Sequence, residues 1–286
     1  MNKIQTCLWF DGQAEEAAKL YTSLFKGSKL GRSVSYGKSG AKASERTEGS
    51  PMTVEFEIAG LNLLGLNGGP HFKFNPSISF FIGCDNEKEI DGLWEKLAKN
   101  VRMELKKYPF AEKYGWCEDR FGINWQLMIG TRRQKVTPAL LFANKKYGKA
   151  EEAIHFYVSQ FPSSGIEMIA RDEKTSAVLH SVFTLAGQDF VIMEGPLEHQ
   201  FDFSPAISFV VGCEGQEEID KIWSALSAVP EAEQCCWLKD KYGVSWQVVP
   251  EDWGKRMSEA DPAKRERLMG AVLKMKKPDL RALQDV

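Results

Sequence analysis

Apolar and polar positions alternate along the start of the chain with two different periods. Residues 4–10 form a short apolar run that ends at turn residues, which predicts a strand. Over residues 14–25 the apolar side chains recur every three or four positions, which predicts a helix with one buried face. Residues 53–58 and 61–66 return to strand-like alternation, whereas the polar segment 35–50 is expected to form a mobile hairpin loop.

The same order of elements follows in the next stretch. Residues 78–82 predict a strand and residues 87–98 a helix whose buried stripe includes a tryptophan. Residues 115–119 and 123–129 then predict a hairpin. The first 131 residues are therefore expected to hold two βαβββ-like units.

The second half of the chain repeats the first. Copy one spans about residues 1–131 and copy two about residues 135–250, and residues 251–286 belong to neither. The matching pairs are Ala14–Ala17 with Ala150–Ala153, Phe74–Phe80 with Phe203–Phe209, and Phe121–Gln126 with Tyr242–Gln247. The prediction is an α+β chain with four βαβββ modules.

The segment after the second copy has a helical pattern. Residues 262–275 are expected to form an amphipathic helix, and a shorter helix should begin at Pro278. We expect this tail to pack on the body of the protein. The alternative is an interaction protein in which cutting after Pro250 would abolish partner binding.

The composition indicates which class of protein and which partners to expect. With 286 residues, 43% hydrophobic residues and a net charge of -2, the chain has the profile of an ordinary globular protein, and nucleic acid is not an expected partner. The sequence has neither a signal-peptide pattern nor an apolar run of membrane-spanning length, so no membrane partner and a cytoplasmic location are expected. The six cysteines should be free thiols.

Three segments, residues 8–17, 66–75 and 237–250, resemble the PhnB-like branch of the vicinal-oxygen-chelate (glyoxalase, bleomycin-resistance and dioxygenase) superfamily. Members of this branch carry the label 3-demethylubiquinone-9 3-methyltransferase. The resemblance implies tandem domains whose strands curl into open barrel-like clefts, one in each copy. It also implies an intramolecular pseudo-dimer, and a homodimer is one possible assembly.

The resemblance further implies where a metal ion would be bound. Metal enzymes of the superfamily place ligands on four strands, at positions that correspond to Thr6, Leu64, Ser79 and Gln126, and to Pro138, Val191, Ser208 and Gln247. Only the glutamines could coordinate, and the four histidines are scattered along the chain. No metal and no cofactor are therefore expected.

The expected ligand-binding residues lie near those positions. In copy one they are Thr6, Leu8, Trp9, Ser79, Asn124 and Gln126, and in copy two they are Ser208, Ser245 and Gln247. Apolar walls with a few hydrogen-bonding groups suit an aromatic or amphipathic small molecule held without metal. The competing interpretation is that the Trp-Gln pairs at 125–126 and 246–247 belong to the core.

An enzyme remains the alternative function. It would be a divergent metal-dependent lyase or isomerase, or the methyl transfer that the label names, although no glycine-rich nucleotide loop lies between a strand and a helix. Glu55 and Glu57 share one strand face, which would permit a general acid and base if that face lined a cleft. A solvated outer face is the favoured placement.

Overall fold

The first copy folds into two successive units that each begin with a strand followed by a helix. The computed structural model describes residues 3–196 and 198–284. The first unit contains β1 (Ile4–Trp9), α1 (Ala14–Leu24), β2 (Lys29–Ser35), α2 (Lys38–Ala43), β3 (Pro51–Ile58) and β4 (Leu61–Leu66). The second unit contains β5 (Ile78–Cys84), α3 (Glu87–Leu97), β6 (Asn100–Tyr108), β7 (Ala111–Glu118) and β8 (Asn124–Ile129).

The second copy repeats this plan. The third unit contains β9 (Val136–Phe142), α4 (Ala150–Gln160), β10 (Gly165–Arg171), β11 (Val178–Leu185) and β12 (Gln188–Glu194). The fourth unit contains β13 (Ile207–Cys213), α5 (Gln216–Leu226), β14 (Trp237–Lys239) and β15 (Ser245–Pro250). Where the second unit has β6, the fourth has a 3-10 turn at Pro230–Ala232. The predicted α+β class and tandem architecture are confirmed.

The tail adds three helices, α6 (Trp253–Glu259), α7 (Pro262–Val272) and α8 (Leu280–Gln284). The sequence predicted the second and third of these but not α6. Helix α7 begins where the pattern indicated, because Asp261 accepts a hydrogen bond from the Lys264 backbone N–H and Pro262 opens the first turn. Leu268 and Val272 of α7 are buried against the body, so the tail packs as expected.

The segment 35–50 differs from the hairpin loop that was predicted. It contains α2, in which Gly40 and Ala41 are buried. Residues of α7 lie against α2, and the Glu266 carboxylate accepts hydrogen bonds from the Ser39 backbone N–H, at 2.7 Å, and from the Ser39 hydroxyl. The tail therefore covers this short helix, and a local sequence pattern contains no information about that distant partner.

Each β-sheet combines one unit from each copy. The first sheet has the order β14-β15-β13-β1-β4-β3-β2, and the second has the order β10-β11-β12-β9-β5-β8-β7-β6. At their centres β1 lies antiparallel to β13 and β5 antiparallel to β9, with Cys7 opposite Ser208 and Ser79 opposite Ala139. The first unit thus pairs with the fourth, and the second with the third.

This exchange corrects the expectation of one cleft inside each copy. Each sheet is built from both copies, because the leading strands of the units pair across the repeat. The strand pattern could not show this, since alternation determines which side chains share a face but not which edge a strand joins.

A single apolar core lies between the two sheets. Helix α1 packs on β3 of the first sheet, while the ring of its Tyr21 lies 5.2 Å from that of Trp125 in the second. Tyr157 of α4 and Trp246 make the matching pair at 5.6 Å. The opposite face of each sheet points away from this core.

No helix in the described parts of the chain is both long and apolar enough to cross a membrane.

Candidate functional site

The first sheet carries a cavity of about 780 Å³ on the face that points away from the core. Its floor consists of alternate side chains of the central strands, among them Gln5, Leu64, Val210 and Gln247. The tail closes the opposite side through residues of α6 and α7. The tail side chains that line the cavity include Glu251, Trp253, Met257, Met269, Val272 and Leu273.

Aromatic rings form one wall. Trp9 lies edge to face with Phe72 at 4.9 Å and with Trp237 at 5.9 Å between ring centroids. The Trp9 indole Nε1–H donates a hydrogen bond to the carbonyl of Gly69 at 2.8 Å, which holds the ring in place. A Cβ at residue 68 would lie 2.2 Å from this ring, so the close approach requires Gly68. The wall is therefore preformed.

Hydrogen-bonding groups converge at the centre of the floor. The Gln247 Nε2 donates to the Ser208 hydroxyl at 3.0 Å. Cys7 lies opposite Ser208 on the neighbouring strand and contacts the same two side chains. Burial raises the pKa of the Cys7 thiol to about 11, so this group is a neutral thiol at physiological pH.

An ion pair is part of the cavity wall. Arg32 donates two hydrogen bonds to the Glu55 carboxylate, at 2.9 and 3.0 Å, and both residues line the cavity. Glu55 thus lies on the cavity side and not on the solvated outer face that was favoured. Glu57 pairs with Lys29 at 3.1 Å away from the cavity lining, so the two carboxylates do not form an acid and base pair there.

The equivalent face of the second sheet is filled by its own side chains. Tyr114 donates from its hydroxyl to the Gln126 Oε1 at 2.6 Å, and the Gln126 Nε2 donates to the Ser79 hydroxyl at 2.9 Å. Phe81 and Val191 pack beside Tyr114 in one buried apolar cluster. The Gln–Ser pair of the first sheet is therefore present here as well, but an aromatic ring covers it.

A difference between the copies accounts for part of this asymmetry. Trp116 lies opposite Gln126 on its neighbouring strand, and Trp237 lies opposite Gln247 in the same register. Two residues before each tryptophan the chain has Tyr114 in copy one and Cys235 in copy two. Tyr114 lies within β7 and its ring packs on the face of the second sheet, whereas Cys235 precedes β14 and has a small side chain at the cavity of the first sheet.

Four of the predicted ligand-binding residues lie at the cavity of the first sheet. Trp9, Ser245 and Gln247 line it, and Ser208 is hydrogen-bonded to Gln247 beneath it. Thr6 and Leu8 are corrected: both are buried on the opposite side of β1, and Leu8 belongs to the main core. Alternate side chains of a strand point to opposite faces, so a shift of one residue reverses the placement.

The remaining predicted residues belong to the second sheet. Ser79 and Gln126 form the covered pair, and the Asn124 Oδ1 accepts hydrogen bonds from the Arg102 Nε at 2.6 Å and the Trp116 Nε1 at 3.3 Å. The grouping of these three with Thr6 and Leu8 in one pocket is therefore wrong, because the two sets lie on different sheets.

Several lining residues were not predicted from the sequence. They include Gln5, Arg32, Tyr36, Trp237 and Trp253. Gln5 could have been found, because it shares the odd-numbered face of β1 with Trp9. Trp253 could not, because it reaches the cavity only through the packing of the tail.

The residues at the inferred metal-ligand positions do not suit a divalent ion. In the first sheet Leu64, Ser208 and Gln247 occupy three of these positions. Thr6, the position inferred on β1, lies on the opposite face of that strand, and Cys7 lies next to Ser208 and Leu64 instead. Cys7, Ser208 and Gln247 offer a neutral thiol, a hydroxyl and an amide, and these positions have neither an imidazole nor a carboxylate. Among residues 3–196 and 198–284, no group of three or more His, Cys, Asp or Glu side chains could hold a metal ion.

Comparison with known proteins gives a family match over both copies. The family model described as 3-demethylubiquinone-9 3-methyltransferase matches residues 2–128 and again residues 134–249. A search of curated proteins found no match.

Some solved structures are similar to one copy, and others are similar in fold to the whole chain. A PhnB protein from Bacillus cereus is 35% identical over 44% of this chain and 98% of its own, with a TM-score of 0.41. A protein from Staphylococcus aureus is 27% identical over 45% of this chain and 97% of its own, with a TM-score of 0.19. Glyoxalase I from Zea mays is 12% identical over 90% of this chain and 97% of its own, with a TM-score of 0.56, which indicates a shared fold.

Proposed function

The chain belongs to the family described as 3-demethylubiquinone-9 3-methyltransferase, within the glyoxalase-like superfamily, and from that premise we propose that it binds an aromatic or amphipathic small molecule without a metal ion. The observation that carries the proposal is the cavity of about 780 Å³ on the first sheet. Ligand sites in proteins are commonly concave and apolar, with a few placed polar groups, and this volume lies within their usual range.

The lining supports a ligand that has a flat apolar part and a few polar atoms. Trp9, Phe72 and Trp237 present ring edges and faces, which favour stacking against an aromatic group. The Gln247 carboxamide supplies the hydrogen-bonding end, and its donor is already oriented by Ser208. An amphipathic molecule would bury its apolar part against the rings and place its polar atoms near Gln247.

The absence of suitable donors supports the metal-free part of the proposal. The thiol of Cys7, which lies beside Ser208, is held in its neutral form, and Leu64 occupies one of the inferred ligand positions. A divalent ion would need several nitrogen, oxygen or thiolate ligands there. Metal analysis of the purified protein by mass spectrometry, before and after Zn²⁺, Ni²⁺, Mn²⁺ and Fe²⁺ are offered, tests this part. Retention of one metal ion per chain would contradict it.

The binding site itself is tested with a fluorescent aromatic probe. We expect 1-aminoanthracene to bind the full chain saturably with one site. The variant Cys235→Tyr should weaken binding by roughly tenfold or more, since it adds a large aromatic ring to the cavity lining, as Tyr114 does on the face of the second sheet. The matched control is Tyr114→Phe, which keeps that face filled and should leave the probe affinity unchanged.

Two outcomes would overturn the proposal. Unchanged probe binding by the folded Cys235→Tyr variant would place the probe elsewhere, and no saturable binding by the native chain would remove the site. S-adenosylmethionine is added in a parallel thermal-shift series. A concentration-dependent rise in the unfolding temperature with that compound would favour the methyl transfer that the family description names.

A further inference from the structure

Two adjacent cysteines form a strained turn at the edge of the cavity. Cys235 and Cys236 have φ angles of +50° and +72°. The flanking residues Gln234 and Trp237 exchange backbone hydrogen bonds of 3.1 and 2.7 Å, so the two cysteines are the central residues of a tight type I′ turn. Such turns favour the sequence Asn-Gly, because residues other than Gly, Asn and Asp are disfavoured at positive φ.

The surrounding structure holds this turn in place. The backbone N–H groups of Cys235 and Cys236 donate to the carbonyls of Met275 and Lys276 in the tail, at 2.8 and 2.9 Å. The carbonyl of Cys236 accepts from the Val248 N–H at 2.9 Å. A strained conformation that is fixed from several sides is an observation from which a function can be inferred.

Both cysteines line the cavity. Cys236 is buried, Cys235 is partly exposed, and both are free thiols. Cys7 and Cys213, by contrast, are buried and absent from the lining. Two neighbouring cysteines therefore border the same space as the aromatic wall around Trp9 and Trp237, and the Cys235 Sγ lies 3.9 Å from the carbonyl of Leu273, another lining residue.

We propose that Cys235 and Cys236 form a dithiol site that captures a neutral organic compound of trivalent arsenic inside the cavity. Soft sulfur donors suit a soft, thiophilic centre. The site offers two sulfurs, and within residues 3–196 and 198–284 no third Cys, His, Asp or Glu is grouped with them as a metal site would need. The organic substituent on arsenic would pack against the rings.

The reaction is an exchange without oxidation or reduction. An organic arsenic dihydroxide loses two As–O bonds and gains two As–S bonds, while each thiol proton leaves with a hydroxide as water. Arsenic stays trivalent, and both the reactants and the product are neutral. This suits the site, because burial raises the pKa of Cys236 to about 12 and disfavours a thiolate there.

This inference rests on the proposed function because it uses the same cavity. The experiment incubates the full chain with phenylarsine oxide and measures stoichiometry by intact mass and affinity by competition with 2,3-dimercaptopropanol. We expect one phenylarsenic group per chain. Each of Cys235→Ser and Cys236→Ser should weaken capture roughly 100-fold, because one sulfur loses the advantage of a linked second.

Two controls separate loss of the site from loss of the fold. The double variant Cys235→Asn/Cys236→Gly keeps the turn with the residues it favours, so it should remain folded, unfold at a higher temperature than the native chain and fail to capture the arsenical. Cys213→Ala removes a buried thiol outside the cavity and should capture it normally.

Capture by the Asn-Gly double variant, or no capture by the native chain, would overturn the dithiol site. The aromatic-probe assay distinguishes the two proposals. If 1-aminoanthracene binds but phenylarsine oxide does not, only the dithiol site is wrong. If capture depends on both cysteines but the probe does not bind, only the aromatic ligand is wrong.

Discussion

At the scale of single residues, the stability of this protein should depend on pH through one partly buried imidazole. His180 of β11 packs against Phe81 on the covered face of the second sheet, with 5.4 Å between ring centroids. The Arg132 Nη2 lies 3.0 Å from its Nε2, and the same guanidinium lies over the Phe81 ring at 4.2 Å. Burial, and then the charge of Arg132, lower the pKa of His180 to about 4.

The stability of the protein should therefore fall in mild acid. An unfolded histidine takes up a proton near pH 6.5, whereas folded His180 does so only near pH 4, so acid favours the unfolded chain across that window. We expect the free energy of unfolding to lose on the order of 2 kcal/mol from this group between those values. Urea unfolding as a function of pH measures it.

The variant His180→Gln should flatten this pH profile, because it removes the titrating ring. His155→Gln, on the exposed surface of α4, is the matched control and should leave the profile as it is. Equal acid sensitivity in native protein and His180→Gln would assign the effect to other groups.

At the scale of elements, each copy ties a helix to its last hairpin through one buried aspartate. The Asp119 carboxylate accepts from the Tyr21 hydroxyl at 2.6 Å, the Trp125 Nε1 at 2.8 Å, and two backbone N–H groups of the turn that follows. Asp240 does the same with Tyr157 and Trp246. Burial raises the pKa of both carboxyls, and these hydrogen bonds oppose the rise.

Replacing either aspartate with asparagine should destabilise the fold. The amide oxygen can still accept from the turn N–H groups, but the amide NH₂ then faces the indole N–H, and two donors meet in a buried site. We expect Asp119→Asn and Asp240→Asn each to cost about 1–3 kcal/mol of unfolding free energy in chemical denaturation. Asp172→Asn, in an exposed turn, is the control and should have little effect.

The two variants also test the equivalence of the copies. Similar losses are expected, because the same four groups contact each carboxylate. A loss of unfolding free energy in only one of the variants would mean that the repeated motif contributes differently to stability in the two copies.

At the scale of the whole molecule, the two copies are joined because strands of both copies pair within each β-sheet. The pairing of β1 with β13 and of β5 with β9 makes each sheet from both halves of the chain. A single copy, residues 1–131, would therefore lack the partner strand for both of its central strands. Unpaired edges of this kind tend to pair with another chain.

Separated copies should for that reason associate. We expect fragment 1–131, when co-expressed with fragment 135–286, to elute as a 1:1 complex in size-exclusion chromatography with light scattering. Fragment 1–131 alone should form a homodimer that imitates the exchanged pairing, or aggregate. A stable, folded monomer would contradict the role assigned to the exchange.

Much of the fold was accessible from the sequence because its signals are local. The strand over residues 4–10 and the helix over residues 14–25 follow from hydrophobic period, and the structure confirms both within about one residue. The repeat of Phe121–Gln126 as Tyr242–Gln247 predicted matching hairpins, and both occur. Residues 35–50 were mispredicted, because α2 is covered by a helix more than 200 residues away in the chain.

The candidate site was accessible only in part. Trp9, Ser245 and Gln247 were predicted to face a cleft and line the cavity, whereas Thr6 and Leu8 were assigned to the wrong face of their strand. Period two shows that Thr6 and Leu8 share a face, but it does not say which face meets the helices.

The sequence by itself determined the repeat, the α+β units and the family, because these depend on period and motif along the chain. Only the tertiary structure decided that each sheet is shared between the copies and that Tyr114 covers the face of the second sheet. It also decided that the face of the first sheet keeps a cavity, one side of which is formed by the tail. The physical reason is that strand edges, cavity space and tail packing depend on contacts between residues far apart in sequence, and hydrophobic period contains no information about them.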